Sequence, residues 1–466
     1  MSLDTILLSR IQFAFTITFH IIFPTLSIGL SLFLAVAEGV WLKTKNELWL
    51  RIYRFWVVIF AMGFGVGVVT GIVLDFEIGT NFGRFAQIAG AVVGPLIAFE
   101  VLTAFFLEAG FLGIMLFGMG RVGPKTHYFA TCMVALGTTL SASWILATNS
   151  WMQTPAGYVL DHGRFVVTNW LQVIFNPSYL YRMPHMLVAA YLTSAFLIAG
   201  VAAIYLLRQK HLEFARTTFR FGLGAAGVLI IVQVFLGDLL YGMMIEHQPS
   251  KMQAAEGFWD RQSESPAPYF WIIVPDQAHE RNRFELGTPY LGSIWLTHSL
   301  TGRVAGLKNT PPDRRPLMAP VFYGFRVMYV TAILMFATSV TALYLHLRRR
   351  LYTTRWFHRI CAAMTPAGFL AIIGGWYLAE TGRQPYVVFG LLPTADAVSP
   401  VAAQAVLVTF TVFVCVYAVF LTAFLVFTVR HIRRGPTDLP AASPYSGSLK
   451  RVFMTAPPKP LGAGEG

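Results

Sequence analysis

The chain has 466 residues, of which 56% are hydrophobic and only 12% are charged. A water-soluble protein of this size could not solvate so apolar a surface, so the composition excludes a soluble protein and predicts one that crosses a bilayer several times. The net charge of +13 does not indicate nucleic-acid binding, because the basic residues are concentrated in alternate loops between the apolar runs.

Apolar runs long enough to span a bilayer recur along the chain. We predict an all-α polytopic membrane protein of about nine transmembrane helices, with a long outer loop between the sixth and seventh. The predicted spans are 11–37, 55–74, 88–119, 127–148, 186–207, 221–241, 322–347, 362–380 and 400–429. The predicted regions are helices one to six (1–241), the loop (242–321), helices seven to nine (322–430) and a tail (431–466).

Basic residues lie on one side of the predicted membrane. Alternate loops and the C-terminal tail hold 21 Lys and Arg residues, whereas the short connectors on the other side hold five. By the positive-inside rule the N-terminus and the long loop lie on the outer side of the membrane and the C-terminus lies in the cytoplasm.

His20 lies about ten residues into the first span, in "FAFTITFHIIFPTL". Pro24 follows one turn later and predicts a kink, because it removes the helical partner of the His20 carbonyl. An imidazole at this depth indicates a haem or metal ligand. The alternative is a structural histidine bonded to a neighbouring helix.

Glu100 and Glu108 lie eight residues apart in the third span, in "GPLIAFEVLTAFFLEAG". On a regular helix they would lie about 80° apart around the axis and about 12 Å apart along it. Two ionisable carboxyls at different depths are typical of proton relays, the alternative being two neutral core acids. In the second span Gly63, Gly67 and Gly71 form a small-residue row that predicts a helix-packing surface.

Four possible iron ligands are predicted to lie towards the outer face. His185 opens the fifth span, Met328 lies near the start of the seventh and Glu380 ends the eighth, with His20 somewhat deeper. Each of His185 and Met328 taken alone is more often structural. A His/Met pair suits electron-transfer haem, whereas a single histidine or carboxylate leaves a position for oxygen. Arg383, one turn after Glu380, is placed to pair with haem propionates.

These motifs together resemble subunit I of the cytochrome bd-type quinol oxidases over nearly all of residues 1–430. The resemblance is carried by "SRIQFAFTITFH", "GTNFG", "LIAFEVLTAFFLEAG", "LGTTLSASWILATNSWMQTP", "FRVM" and "GWYLAETGRQPY". It implies that His185 and Met328 ligate a low-spin haem b. It further implies that His20 and Glu380 are axial ligands of a high-spin haem b and haem d, in an order left open.

The same resemblance implies roles for charged residues. Glu100 would lie beside the high-spin pair and Glu108 on the proton path to it, while Arg326 and Arg383 would be haem-neighbouring cations. In the long loop, "SKMQAAEGFW" matches the quinol-oxidation region, which contains Lys251 and Glu256.

Two features depart from the family pattern. The loop lacks a large insertion in its C-terminal half, which indicates the short-loop branch with its cyanide-insensitive members and leaves open a second high-spin haem b in place of haem d. Tyr386 stands where the pattern has Trp.

The function implied is that of a terminal oxidase in the bacterial inner membrane. It oxidises quinol (ubiquinol or menaquinol) at the periplasmic face and reduces O2 to water with cytoplasmic protons. Charge would separate across the membrane without a pump. The implied partners are a second membrane subunit, with a small single-helix subunit as a further candidate, and the lipid bilayer. Two rival functions are a secondary transporter and a haem-b quinol dehydrogenase that passes electrons to another protein.

Overall fold

The computed structural model describes residues 4–260 and 266–436, most of which are helical. Within these ranges nine helical segments are long and apolar enough to cross a membrane, which confirms the predicted spans. The predicted tail, 431–466, lies outside the described residues from 437 onwards.

The helices run in chain order from α1 to α15. Their bounds are α1 Thr5–Thr44, α2 Glu47–Asn81, α3 Gly83–Glu100, α4 Phe106–Phe117, α5 Pro124–Gln153, α6 Trp170–Ile174, α7 Tyr179–Arg208, α8 Leu212–His247, α9 Pro249–Glu256, α10 Leu291–Thr297, α11 Met318–Leu347, α12 Arg355–Ala363, α13 Ala367–Thr381, α14 Thr394–Ala397 and α15 Ala403–Arg434. A π-helical segment, Val101–Phe105, joins α3 to α4 in one continuous span.

In the described part of the chain, three antiparallel two-stranded sheets lie in the connections between helices. They are β1 Tyr158–Asp161 with β2 Arg164–Val167, β3 Tyr269–Asp276 with β4 Arg281–Thr288, and β5 Tyr386–Val388 with β6 Leu392–Pro393. The β3–β4 hairpin is the longest and runs from the pair Tyr269/Thr288 to the pair Asp276/Arg281.

α1 and α2 begin before their apolar runs, and each begins at a polar N-cap residue. The side chain of Asp4 accepts from the Ile6 amide, and that of Asn46 accepts from the Leu48 amide, each at 2.9 Å. These caps satisfy amide donors that the first helical turn leaves unpaired. Hydropathy alone therefore predicts spans shorter than the helices that contain them.

The chain order of the spans gives the bundle two ends. The longer connections, 154–178, 248–317 and 382–402, lie at what we call the loop end. The short turns 45–46, 118–123, 209–211 and 348–354 lie at the opposite end.

α1 lies at the centre of the bundle, with 72% of its most apolar stretch buried, whereas α15 at 11% is peripheral. The predicted packing row on α2 is confirmed, because α1 side chains fill the space beside each of its glycines. A Cβ added at Gly63, Gly67 or Gly71 would lie 2.8 Å from Leu26, 3.4 Å from Phe23 or 3.3 Å from His20. The row thus brings α2 close to His20.

Candidate functional site

Lys251 on α9 is buried at the loop end, with only 3% of its surface exposed. Its ammonium nitrogen donates to Gln153 Oε1 at 2.5 Å and to Gln248 Oε1 at 2.7 Å. Burial lowers the pKa of Lys251 well below its usual value, and the positive charge of Arg182 lowers it further. Lys251 is therefore not a solvated surface cation.

Glu256, five residues further along α9, is 1% exposed and has different partners. Its Oε1 accepts from the Tyr241 hydroxyl at 2.6 Å, and its Oε2 lies 3.0 Å from Arg326 Nη2. Lys251 and Glu256 therefore do not form a solvated ion pair with each other. A buried carboxylate needs such compensation, and removing one partner of a buried pair typically costs about 3–5 kcal/mol.

Arg326 is fully engaged by protein groups. Besides Glu256, its Nε donates to the Phe270 carbonyl at 2.6 Å and its Nη1 to the Ala255 carbonyl at 3.2 Å. All three guanidinium nitrogens therefore have partners, and Arg326 ties the loop to α11. Its predicted place beside a haem stays a prediction.

Glu380, near the end of α13, faces side-chain amides and a guanidinium. Its Oε2 lies 2.5 Å from Arg383 Nη2. Its Oε1 accepts from Asn149 Nδ2 at 3.0 Å and from Gln153 Nε2 at 3.3 Å. Because Gln153 also accepts from Lys251, one amide side chain links α9 to Glu380.

Positive charge exceeds negative charge around Glu380. Arg182 and Arg383 are 9% and 5% exposed, and Arg182 Nη1 donates to Ser150 Oγ at 3.3 Å. Among the described residues, the buried Nε and Nη1 of Arg383 have no hydrogen-bond partner. Buried donors in native proteins are normally paired. A pocket with two guanidiniums, one carboxylate and unpaired donors fits an anionic group such as a haem propionate.

His20 is oriented by α2. Its Nδ1 lies 2.9 Å from the Thr70 hydroxyl, which itself lies within 3.0 Å of the Val66 and Gly67 carbonyls. Since that hydroxyl has one proton to donate to a carbonyl, we assign His20 Nδ1–H as the donor to Thr70. This tautomer leaves Nε2 unprotonated, as an iron ligand must be. α1 stays helical across Pro24, and the kink remains a prediction.

Small residues flank the other candidate ligands as well. A Cβ at Gly237 would lie 3.4 Å from His185 Cε1, and one at Gly375 would lie 2.8 Å from Met328 Sδ. The Gln233 amide nitrogen lies 3.2–3.3 Å from both ring nitrogens of His185. His185 thus packs on α8 and Met328 on α13, and their pairing on one iron stays a prediction.

The π-helical segment changes the relation between Glu100 and Glu108. A π turn inserts one residue, so the two carboxyls lie about 20° apart around the axis instead of 80°. Both contact one stripe of α5: Glu100 Oε1 accepts from Ser141 at 2.7 Å, and the Glu108 Cγ lies 2.5 Å from where a Gly137 Cβ would be. The expected angle of about 80° between the two carboxyls is therefore corrected. They lie one after the other along the same side of α5.

A cavity of about 530 Å³ opens at the loop end between α7 and α8. Its lining includes Asp238, Gly242 and Glu246 of α8, and Gly242 adjoins the Tyr241 that bonds to Glu256. Asp238 is an exposed carboxylate inside a predicted span, which is a costly position without a functional reason. The cavity therefore lies along the part of α8 that leads into α9.

Sequence reasoning missed several residues of this site, namely Thr70, Gln153, Arg182, Gln233 and Tyr241. The available signal was polarity inside or next to an apolar run, which applies to Thr70, Gln233 and Arg182. Gln153 and Tyr241 had no such signal, because their partners come from distant parts of the chain.

The family model described as cytochrome bd terminal oxidase subunit I matches residues 8–436. Cytochrome bd ubiquinol oxidase subunit 1 of Bacillus subtilis (strain 168) is 36% identical, over 93% of this chain and 94% of the relative. Cytochrome bd-II ubiquinol oxidase subunit 1 of Escherichia coli (strain K12) is 31% identical, over 95% of this chain and 99% of the relative. The bd oxidase structure from Geobacillus thermodenitrificans aligns with a TM-score of 0.85 at 31% identity, covering 93% of this chain and 100% of that one.

Proposed function

Because this chain belongs to the cytochrome bd terminal oxidase subunit I family and is a multi-pass subunit of a quinol:oxygen oxidoreductase, we propose how its residues divide the reaction. Quinol is oxidised at the loop end beside α9, which faces the periplasm. Oxygen is reduced with protons drawn from the opposite end, which faces the cytoplasm. Two quinols and one O2 give two quinones and two waters.

The residues proposed to hold the haems fit that task. His185 and Met328 hold a low-spin haem b, while His20 and Glu380 hold the two others, a high-spin haem b and either haem d or a second high-spin haem b. The unprotonated Nε2 of His20 and the unpaired donors of Arg383 support this. When bound, haem supplies one-electron transfer and an oxygen-binding iron.

Glu256 is the proposed proton acceptor for quinol. A quinol loses two protons with its two electrons, and a carboxylate within hydrogen-bond reach of its hydroxyl can take one. Among the described residues, Glu256 Oε1 accepts from one hydroxyl, that of Tyr241, while Arg326 donates to Oε2. A quinol hydroxyl can replace the Tyr241 hydroxyl at Oε1. The protons then leave at the loop end.

Lys251 is a proposed positioning residue. It binds Gln153, which also binds Glu380, so it fixes α9 against the end of α13. A head group held at α9 is thereby kept at a set distance from the pocket around Glu380. Because burial disfavours its charged form, Lys251 can also share a proton with the quinone oxygen.

Glu108 and Glu100 are the proposed proton carriers towards oxygen. Glu108 is 6% exposed and its Oε1 has no partner among the described residues, so it is free to accept or release a proton. Glu100 lies closer to the loop end than Glu108 does, and it accepts a hydrogen bond from Ser141. Proton release and uptake at opposite ends would make the reaction electrogenic without a pump.

The observation that carries this proposal is the buried group of charged residues at the loop end, in which α9 is linked to Glu380 through Gln153. The deciding experiment is a reduced-minus-oxidised spectrum of the complete oxidase, with and without CO, alongside quinol-driven oxygen consumption. We expect a low-spin haem b and a component that binds CO. A single haem type that neither binds CO nor supports oxygen consumption would favour a quinol dehydrogenase.

A further inference from the structure

A buried cluster at the opposite end of the bundle has no part in the site described so far. Glu38 of α1 and His127 of α5 are 0% and 2% exposed. Glu38 Oε1 lies 2.7 Å from His127 Nδ1, and Glu38 Oε2 accepts from the Thr131 hydroxyl at 2.6 Å. The Tyr53 hydroxyl lies 3.4 Å from that of Thr131. Four groups able to carry protons thus meet between three helices.

His127 lies directly beneath the protein surface. The four preceding residues, 123–126, are all exposed, and His127 is the first buried side chain of α5. Its Nδ1–H donates to Glu38. The other ring nitrogen, Nε2, is buried and has no hydrogen-bond partner in the described chain. A histidine that only joins two helices could lie at any depth, whereas a histidine that takes up protons must lie close to the surface, as His127 does.

The cluster continues along α5 towards the two carboxyls. His127, Thr131, Thr138 and Ser141, which we call the α5 polar row, fall within a sector of about 80° on the helix. Thr138 lies 3.0 Å from the Ser31 hydroxyl of α1, and Ser141 donates to Glu100 at 2.7 Å. Glu108 packs on Gly137, beside Thr138.

We propose that Glu38 and His127 form the proton-uptake point of this subunit and feed the α5 polar row, Glu108 and Glu100 in turn. This inference rests on the proposed function, since it supplies the protons that oxygen reduction consumes. A proton binds His127 Nε2 while Nδ1–H passes to Glu38, and Thr131 carries it inward. Two helical turns, about 10.5 Å, separate Thr131 from Thr138. Water must bridge this step, because the intervening Val134 is apolar and fully buried.

The test uses the complete oxidase in vesicles and three variants. His127→Gln and Glu38→Gln keep a hydrogen bond between the two positions but remove a titratable group. The matched control is His358→Gln, because His358 is also 2% exposed at the same end of the bundle. Within residues 4–260 and 266–436 its one hydrogen bond is to the Leu351 carbonyl. The measurement is the electrogenic phase that follows mixing of the reduced enzyme with O2.

We expect His127→Gln and Glu38→Gln to slow the electrogenic phase about tenfold. This is less than the about 100-fold or more of a lost general acid or base, because water provides a bypass. The haem spectra and the KM for quinol should not change, and His358→Gln should match the wild type. If either variant loses haem, Thr131→Val decides the matter, since it removes only the hydroxyl.

Two results would overturn the inference in distinguishable ways. The first result is an electrogenic phase at the wild-type rate in both His127→Gln and Glu38→Gln, or in Thr131→Val, while the phase in Glu108→Gln is slow. This result rejects the uptake point and leaves the proposed function standing. The second result is an electrogenic phase at the wild-type rate in Glu108→Gln too. This result rejects the proposed proton route itself.

Discussion

Tyr241 and Glu256 are joined by a 2.6 Å hydrogen bond that links the last turns of α8 to the last residue of α9. The hydroxyl belongs to a helix that lines the loop-end cavity, and the carboxylate is otherwise held by Arg326. Tyr241 therefore connects the proposed proton acceptor to the helix along which the cavity lies.

Glu256→Gln tests this acceptor. The amide keeps the volume and can still accept from Tyr241, but it is a far weaker base and leaves Arg326 without its counter-charge. We expect quinol-driven oxygen consumption to fall at least about 100-fold, the scale of a lost general base. Tyr241→Phe, which leaves the carboxylate in place, should be milder. An artificial electron donor that bypasses the loop should still support oxygen reduction.

Unchanged quinol kinetics in Glu256→Gln would remove this residue from the mechanism. Loss of the haem spectra in the same variant would instead assign Glu256 a structural role, as the partner through which Arg326 of α11 holds the loop in place.

Lys251 gives a prediction with a definite sign. Because burial and Arg182 lower its pKa, the site resists a positive charge. Lys251→Arg introduces a cation that stays protonated at any physiological pH, so it should lower both thermal stability and quinol turnover more than Lys251→Met does. Thermal unfolding and KM measurements on the two variants check this order. Arginine tolerated better than methionine would mean that Lys251 acts as a fixed cation.

Glu108→Gln tests proton delivery. It removes a titratable group and preserves volume, so it should slow oxygen reduction and its electrogenic phase while the KM for quinol stays near that of the wild type. Electrometric recording on vesicles separates the two effects. Full turnover with a normal electrogenic phase would reduce Glu108 to a core acid packed on Gly137.

The low-spin haem is tested by two substitutions on different helices. His185→Leu and Met328→Leu should disturb the same absorption component, because the two residues are the ones that would hold the low-spin haem. Met328→Leu should leave a five-coordinate, high-spin haem. Perturbation of two different components would show that the pairing across α7 and α11 is wrong.

Sequence predicted the spans well because hydropathy is a local property, and it selected His20, Glu100 and Glu380 because ionisable groups in apolar runs are costly. It could not predict the π-helical segment, since no residue in "VLTAF" requires one. Nor could it predict that Glu256 pairs with Arg326, which lies 70 residues away, instead of facing solvent.

In the proposed reaction, quinol releases protons at the loop end while oxygen reduction takes them up at the opposite end. The most direct test is the number of protons released outside per electron by the complete oxidase in vesicles of known orientation, started with a quinol pulse. Uptake and release on opposite sides without a pump predicts one proton per electron, with a membrane potential. Release and uptake on the same side, with no potential, would contradict the account.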